Sequence, residues 1–310
     1  MKNLIPKILI IGGPTASGKT EISFKIAEEI NGEIISCDSR QFYKEINIGT
    51  DKPPLWMREK IQHHFIDFLS LKDEFDVYQY QNLVIKKVEE IILKEKIPII
   101  VGGSGFYIRI LLKGLFSLPN ELKKQQKKIR EKLEKEKTEN LYERLKIIDP
   151  EIAKKIHKND RYRIKRAIEI YELTGQNMSY WQNKKSQITL KNIGEVLYFI
   201  LFRDRNQIYE RIKQRVDKMF ENGWIEEVKK LKEGSFEQYL KFKAPIGYKE
   251  ILEFLEQKYN FEQLRNLIIK KTKEYARKQI IWFRKEEGIF INFSNEKEAI
   301  EKILKGFEND

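Results

Sequence analysis

The sequence contains very little cysteine, and this scarcity excludes several classes of protein. Cys37 is the single cysteine among 310 residues, so the chain can form neither an internal disulfide framework nor a cysteine-based zinc site. No apolar run reaches the ~18 residues that a membrane-spanning helix requires. The first residues, from Met1 to Pro6, lack the apolar stretch and cleavage site of a secretory signal. We therefore expect a folded protein of the reducing cytoplasm, without a membrane segment.

Positive charge is what the sequence has in excess. Lys and Arg number 60 against 47 Asp and Glu, which gives a formal net charge of +13 and an isoelectric point near 9.4. Such an excess suits a polyanionic partner, but a Lys-rich composition can also reflect genome bias or a hot habitat. Residues 117–191 hold 20 Lys and Arg against 11 Asp and Glu, a net +9. This concentration favours a binding arm.

Apolar runs alternate with amphipathic patterns along most of the chain. This alternation predicts an α/β fold with a parallel sheet, whose ligands gather at the carboxyl ends of the strands. Residues 117–191 instead form a Lys/Glu-rich pattern without a strand, so we predict a mostly helical, basic insertion there, between core segments 1–116 and 192–310. The predicted strands are Lys7–Ile11, Glu33–Cys37, Ile97–Val101 and Glu195–Phe202. The predicted helices of the core are Lys19–Ile30, Val77–Lys94, Ile208–Glu221, Ile225–Glu233, Tyr248–Gln257 and Phe261–Phe283.

The segment that follows the first predicted strand matches the phosphate-loop pattern G-x-x-x-x-G-K-[ST]. Its backbone N–H groups and the following helix N-terminus favour phosphate oxygens. The Lys19 ammonium supplies charge to a diphosphate, and the Thr20 hydroxyl is placed to bind Mg²⁺. The pattern does not say whether the phosphates belong to a nucleotide. The loop residues are Gly13, Pro14, Thr15, Ala16, Ser17, Gly18, Lys19 and Thr20.

Polar residues also follow the second and third predicted strands. Asp38 can serve as a Mg²⁺-linked acid or as a base that takes a proton from a nucleophile, and a strand-end cap is the structural alternative. After Gly102, Ser104 offers a hydroxyl and Arg109 can reach an anion, although a glycine turn used only for packing fits as well. We expect a structural role for the adjacent His63 and His64, because no third metal ligand is evident.

Two groups of arginines are candidate anion sites. The segment 159–166 places Tyr162 among four cations, a composition typical of RNA contacts but also of a solvated helix face. Arg211 and Arg215 lie four positions apart on one predicted helix face, where they could clamp an anion or pair with Glu210 and Glu221.

Taken in order, these segments resemble the tRNA dimethylallyltransferase family, also called tRNA isopentenyltransferases, in its bacterial form. The resemblance runs from the phosphate loop to Arg284 and so covers nearly the whole chain. It implies a P-loop NTPase-like core. The segments that carry it are GPTASGKT, DSRQFY, HHFID, GGSGFYIR, NDRYRIKRAIE, RIKQRVDKM, IGYKE and TKEYARKQIIWFR.

The resemblance implies transfer of a dimethylallyl group from dimethylallyl diphosphate to N6 of the adenine beside the 3′ side of the anticodon, with release of diphosphate. Asp38 would accept the N6 proton. Thr15, Lys19, Thr20 and Arg215, together with Mg²⁺, would stabilise the departing diphosphate. The other residues expected to bind the diphosphate are Gly13, Pro14, Ala16, Ser17, Gly18, Arg109 and Arg211.

The same resemblance implies contacts with the anticodon stem-loop of tRNA, made by a protein that we expect to be monomeric. Ser104 stands where the family usually has Thr, and Pro245 is a further departure from its pattern. An ATP-dependent P-loop kinase and a nucleotide-switched RNA-binding protein are the alternative predictions. The residues expected to contact tRNA are Asp38, Ser39, Arg40, Gln41, Ser104, Gln126, Tyr162, Arg163, Ile164, Lys165, Arg166, Ala244, Pro245, Ile246, Gly247, Tyr248 and Lys249.

Overall fold

The chain consists of two compact units. A computed structural model describes residues 5–116, 122–184 and 188–309. The first unit, here called the core unit, comprises Met1–Leu112 and Leu190–Asp310, and the second, the inserted unit, comprises Lys113–Thr189. The predicted boundary at residue 117 lies outside the described residues, and the one at 191 lies two positions beyond the end of the inserted unit.

A six-stranded parallel sheet forms the centre of the core unit. Its strand order is β3-β2-β4-β1-β5-β6, and every pairing is parallel. The four predicted strands are present, with bounds that differ by at most one residue, whereas β3 and β6 were not predicted. The strands are β1 (Lys7–Gly12), β2 (Gly32–Ser36), β3 (His63–His64), β4 (Ile97–Gly102), β5 (Glu195–Phe202) and β6 (Ile289–Asn292).

Apolar side chains cover both faces of this sheet. In β1, Ile8 and Ile10 belong to one buried cluster, whereas Leu9 and Ile11 belong to another. Successive side chains of a strand point to opposite faces, so a continuous apolar run is what a strand buried on both sides requires. The sheet therefore lies between two hydrophobic layers.

Helices surround the sheet within the core unit. A third apolar cluster, built around Trp224 and Tyr248, joins several of the later helices to one another. The helix that starts at Val77 begins with a capping box. In it, the Asp76 carboxylate accepts from the Gln79 N–H at 2.9 Å, and the Gln79 side chain accepts from the Asp76 N–H. The helices are α1 (Lys19–Glu29), α2 (Leu55–Lys60), α3 (Val77–Leu93), α4 (Gly105–Lys113), α10 (Arg205–Glu221), α11 (Trp224–Glu233), α12 (Glu237–Phe242), α13 (Tyr248–Leu255), α14 (Phe261–Phe283) and α15 (Glu296–Asn309).

The inserted unit is helical wherever the structure describes regular elements in it, and it has its own apolar cluster, which includes Leu133, Leu145 and Ile164. The buried Asp149 carboxylate caps one helix by accepting from the Ile152 N–H at 3.1 Å. The helices are α5 (Lys123–Lys135), α6 (Thr138–Ile148), α7 (Pro150–Lys155), α8 (Arg161–Thr174) and α9 (Met178–Asn183).

Candidate active site

The phosphate loop leaves the carboxyl end of β1 and leads directly into α1. Gly13 has a φ of 151°, and a Cβ there would lie 2.8 Å from the Leu201 carbonyl oxygen, so a side chain is not tolerated. Ala16 also adopts a positive φ, 61°, and Gly18 precedes the helix with a φ of 92°. This conformation is typical of backbone nests whose N–H groups converge on an anion.

The Lys19 ammonium lies inside this loop. Its Nζ donates to the Pro14 carbonyl oxygen at 2.7 Å. Desolvation lowers the pKa of Lys19 to about 8, while the carboxylates of Asp38 and Asp51 raise it and the Arg215 guanidinium lowers it. Three carboxylates, those of Asp38, Asp51 and Glu21, and the Arg215 guanidinium therefore lie within electrostatic reach of the Lys19 ammonium.

Arg215 connects the loop to a carboxylate that the sequence did not single out. Its Nη2 donates to Thr15 Oγ1 at 2.7 Å, and its Nη1 lies 3.0 Å from the Asp51 carboxylate. Its Nε is buried and has no hydrogen-bond partner within the described parts of the chain. The described residues therefore leave one buried donor of this guanidinium unsatisfied.

Two further arginines bind the loop through its backbone carbonyl oxygens. Arg211 Nε donates to the Ala16 oxygen and Arg203 Nε donates to the Ser17 oxygen, each at 3.1 Å. Both also lie near the Glu296 carboxylate, at 3.7 and 3.3 Å respectively. The assignment of Arg211 to the diphosphate stays a prediction. Arg203 was missed, although its place just after β5 could have indicated it.

Gln279 of α14 joins the phosphate loop to the glycine turn after β4. The Thr15 N–H donates to Gln279 Oε1 at 2.9 Å, and Gln279 Nε2 donates to the Gly103 carbonyl oxygen at 2.9 Å. The side chain is buried. Gln279 lies in a segment that carried the family resemblance, but nothing in the sequence indicated this contact across 264 positions.

Asp38 follows β2 at the same edge of the sheet as the loop. One carboxylate oxygen accepts from the Arg40 N–H at 2.9 Å, and the other accepts no hydrogen bond from the residues that the structure describes. The Arg40 guanidinium donates to the Lys243 carbonyl oxygen. Tyr275 also lies here: burial, followed by the Asp38 charge, raises the pKa of its hydroxyl to about 12. Asp38 thus combines a fixed orientation with a free oxygen.

Other residues that were assigned to the site from the sequence lie in different surroundings. The Arg109 guanidinium pairs with Glu286 and stacks on Trp282 at 4.1 Å from the ring centroid. Ser104 stands at the start of α4, where its carbonyl oxygen accepts from the Ile108 N–H. The roles of Arg109 and Ser104 stay predictions.

The segment from Ala244 to Lys249 is mostly enclosed by protein. The Tyr248 side chain is fully buried and donates to Glu227 at 2.6 Å, and a Cβ on Gly247 would meet the Trp224 ring at 2.1 Å. Within this segment only Lys249 is exposed, while Ala244, Pro245 and Ile246 are half-buried. Tyr248 therefore holds the segment in place.

The inserted unit presents the other predicted tRNA contacts. Tyr162 is 78% exposed. Ile164 is fully buried in the unit's own cluster, so its side chain supports the helix. The remaining polar side chains are paired with carboxylates. These pairs are Gln126 with Glu169, Arg163 with Asp160, Lys165 with Glu134, and Arg166 with Glu169.

The adjacent histidines form β3 and make separate contacts. His64 Nε2 lies 2.7 Å from the Glu33 carboxylate, and His63 Nδ1 lies 2.7 Å from the Ile61 carbonyl oxygen. Both contacts tie β3 to neighbouring backbone or strand residues. In the described ranges, no group of three or more His, Cys, Asp or Glu side chains could hold a metal ion.

A phosphate loop at the carboxyl end of a central strand in an all-parallel sheet defines a protein with a P-loop NTPase-like fold. The chain belongs to the IPP transferase family, whose model matches residues 41–286. The tRNA dimethylallyltransferase of Thermotoga neapolitana is 40% identical over 301 residues, covering 96% of this chain and 97% of that relative. That of Halothermothrix orenii is 40% identical over 297 residues, covering 93% and 88%.

Solved structures agree with these relatives. A tRNA delta(2)-isopentenylpyrophosphate transferase from Staphylococcus epidermidis superposes with a TM-score of 0.66 at 32% identity, covering 98% of this chain and 99% of its own. A eukaryotic dimethylallyltransferase acting on tRNA superposes with a TM-score of 0.78 at 29% identity, covering 98% and 80%. None of the helices in the described residues is long and apolar enough to span a membrane.

Proposed function

We propose that this protein transfers a dimethylallyl group from dimethylallyl diphosphate to N6 of the adenine on the 3′ side of the tRNA anticodon. The observation that carries the proposal is that Asp38, which has one free carboxylate oxygen, lies close to the loop that holds the Lys19 ammonium. A base and an anion site at one edge of the sheet suit a nucleophile and a diphosphate leaving group. The similarity to named tRNA dimethylallyltransferases supports the substrates.

The loop side of the site stabilises the leaving group. As the bond between the allylic carbon and the diphosphate oxygen breaks, the electron pair moves onto that oxygen. The Lys19 ammonium and the Arg215 guanidinium are the cations beside the loop that would stabilise this developing charge. Thr15 orients Arg215 through its hydroxyl. Because the allylic carbon gains cationic character, excluding water from it is a further task of the closed site.

Asp38 serves the acceptor side. The adenine N6 forms the new bond to the allylic carbon, and its surplus proton passes to the Asp38 carboxylate. The Arg40 N–H fixes one oxygen of that carboxylate, so the other is the one that receives the proton. The adenine must leave its stack in the RNA to reach this site, as in base flipping.

Magnesium fits this donor set. The Thr20 hydroxyl at the start of α1 and the carboxylates near Lys19 are hard oxygen ligands of the kind that Mg²⁺ prefers. The described side chains alone are too few for an octahedral shell, so diphosphate oxygens and water would complete it. When bound, the ion would neutralise charge on the diphosphate.

The same proposal includes a monomeric protein of the cytoplasm. The ATP-dependent kinase is the less favoured function, because membership of the IPP transferase family supports group transfer from an isoprenoid diphosphate.

The test is a transfer assay with purified protein, Mg²⁺ and unmodified tRNA, supplied with either dimethylallyl diphosphate or ATP and analysed by nucleoside mass. We expect a dimethylallyl-sized gain on adenosine with the wild type and its loss in Asp38→Ala. Asp38→Asn serves as the matched variant, because it keeps the size of the side chain and removes the base. Unmodified adenosine together with consumption of ATP would reject the proposal in favour of the kinase.

A further inference from the structure

A basic groove lies between the first turns of α10 and the middle of α14. It has a volume of about 420 Å³. Asn266 and Ile269 also contribute to its wall. The charged and aromatic side chains that line it are Arg205, Tyr209, Lys270, Lys273, Glu274 and Arg277.

The four cations of this groove have no close carboxylate partner. Across the described residues, none of the four lies within salt-bridge distance of a carboxylate, and Glu274 is the one acidic residue of the lining. Arg205 Nε donates to the Tyr209 hydroxyl at 2.8 Å. The Tyr209 ring also lies 5.0 Å from the Arg205 guanidinium and 5.1 Å from the Lys273 ammonium. The ring holds two cations apart without cancelling their charge.

The groove occupies a different face of α14 from the phosphate loop. Gln279, which binds the loop, follows the buried stripe that includes Thr272 and Ala276. Lys273 stands six positions before Gln279, which corresponds to a rotation of roughly 120° around the helix axis. The groove is therefore separate from the contacts that position the phosphate loop.

The spacing of the charges indicates an extended ligand. Lys270, Lys273 and Arg277 follow one another at intervals of three and four positions, so they share one face of the helix. The seven-residue span from Lys270 to Arg277 covers about 10 Å of axis. A row of this length exceeds one phosphate group and suits successive phosphates of a nucleic acid strand.

We propose that this groove binds the phosphodiester backbone of the tRNA substrate, outside the site where the base is modified. The inference rests on the proposed function for the identity of the RNA. The unpaired cations contribute sequence-independent affinity, because each one that contacts a phosphate releases condensed counterions. Tyr209 adds a flat aromatic face on which a sugar or base can pack.

The experiment measures tRNA binding by filter retention, without turnover, over a range of salt concentrations. The test variant is the double substitution Arg205→Gln and Lys273→Gln, which removes two charges and keeps Tyr209. The control is Lys229→Gln with Lys230→Gln, which removes two charges from exposed positions of α11. Thermal unfolding verifies that both variants fold, and a single Lys273→Gln variant replaces the test pair if the double one does not.

We expect the test variant to bind tRNA roughly five- to tenfold more weakly, with a salt slope reduced by about one to two, and the control to match the wild type. A tRNA affinity and a salt slope in the test variant that equal those of the wild type would overturn the inference. An equal loss in test and control would also overturn it, because net charge alone would then explain the effect. If the wild type itself binds no tRNA, the proposed function fails before the groove is tested.

Competition with inorganic phosphate separates the two sources of this ligand chemistry. We expect millimolar phosphate to leave the difference between wild type and test variant unchanged, after ionic strength is matched with chloride. Loss of that difference at matched ionic strength would mean that the groove takes single phosphate ions, which would overturn the proposal of an RNA strand.

Discussion

Lys19 of the phosphate loop and Arg163 of the inserted unit are held by different kinds of partner. In the inserted unit, the Arg163 guanidinium pairs with the Asp160 carboxylate at 2.8 Å. In the core unit, Lys19 donates instead to the Pro14 carbonyl oxygen of the phosphate loop, at 2.7 Å. A carboxylate cancels the charge of its partner, whereas a carbonyl orients the cation and leaves its charge in place.

This difference in partners suggests two different modes of anion binding. The Lys19 ammonium lies in a desolvated place, where electrostatic interactions are strong. The inserted unit has mostly exposed ion pairs, which contribute little to stability and can exchange carboxylates for phosphates. We therefore expect substitutions in the loop to affect transfer, and substitutions in the inserted unit to affect RNA affinity.

The largest expected effect comes from Lys19→Met, which removes the buried charge and keeps the chain length. Because Lys19 stabilises charge that develops on the leaving group, we expect single-turnover transfer at saturating tRNA to fall by roughly a thousandfold. Affinity for tRNA should stay within twofold. The matched variant Arg163→Gln should show the opposite pattern. A similar loss of tRNA affinity in both variants would contradict the division between the units.

A smaller loss is expected from Gln279→Leu. The substitution removes both hydrogen bonds that join Thr15 to Gly103 and leaves buried backbone groups without partners, which costs about 1–3 kcal/mol of unfolding free energy. We expect transfer to fall by roughly ten- to a hundredfold as the loop loses its orientation.

Gln279→Glu provides the control for that loss, since it retains an acceptor for the Thr15 N–H and removes the donor to Gly103. It should fall between the wild type and Gln279→Leu in both unfolding and transfer. If Gln279→Leu transfers the dimethylallyl group at the wild-type rate, the proposed positioning role is wrong.

The pKa of Lys19 predicts that the affinity of the phosphate loop for diphosphate depends on pH. Diphosphate binds the ammonium form, and desolvation lowers the pKa to about 8. Affinity for inorganic diphosphate should therefore be constant below pH 8 and fall as the pH rises above it, by up to about tenfold per pH unit. Calorimetric titrations between pH 6.5 and 9.5 measure this. The same transition in Lys19→Met would assign it to another group.

The smallest effect is expected from Asp160→Asn in the inserted unit. Asparagine still caps α8 by accepting from the Arg163 N–H, now bonded to Asp160 at 3.1 Å, but it no longer neutralises the guanidinium. Since an exposed pair is worth about 0–1 kcal/mol, we expect tRNA affinity to rise by roughly two- to threefold, with unfolding unchanged. Weaker binding would indicate that Asp160 orients Arg163 for the RNA.

Local pattern was sufficient to predict most of the core unit. The strands β1, β2, β4 and β5 are apolar runs, and the predicted phosphate loop lies between β1 and α1, as its sequence requires. By contrast β3 has only two residues, both histidines, and three of the four residues in β6 are exposed. The two histidines of β3 carry no apolar signal, and the apolar residues of β6, Ile289, Phe290 and Ile291, form a run too short to identify a strand by itself. Pairing with a neighbouring strand determines both elements.

The candidate site was predictable only for its local parts. Lys19 follows from the loop pattern, and the family resemblance supplied the role of Asp38, which no structural observation here tests. Asp51, Arg203 and Gln279 reach the loop from distant parts of the chain, and their positions depend on how the helices pack on the sheet. Spacing along the sequence carries no information about the contacts of Asp51 and Gln279, whereas the place of Arg203 directly after β5 was a usable signal.

The pairing of β1 with β5 has a consequence for synthesis of the chain. Lys7 pairs with Glu195, so 188 positions separate partners at the centre of the sheet. At about 5–20 residues per second, the ribosome takes roughly 10 to 40 seconds to produce the second partner after the first. During that interval one edge of an apolar strand lacks its neighbour and is open to mispairing. This edge of β1 therefore stays open throughout the translation of the inserted unit.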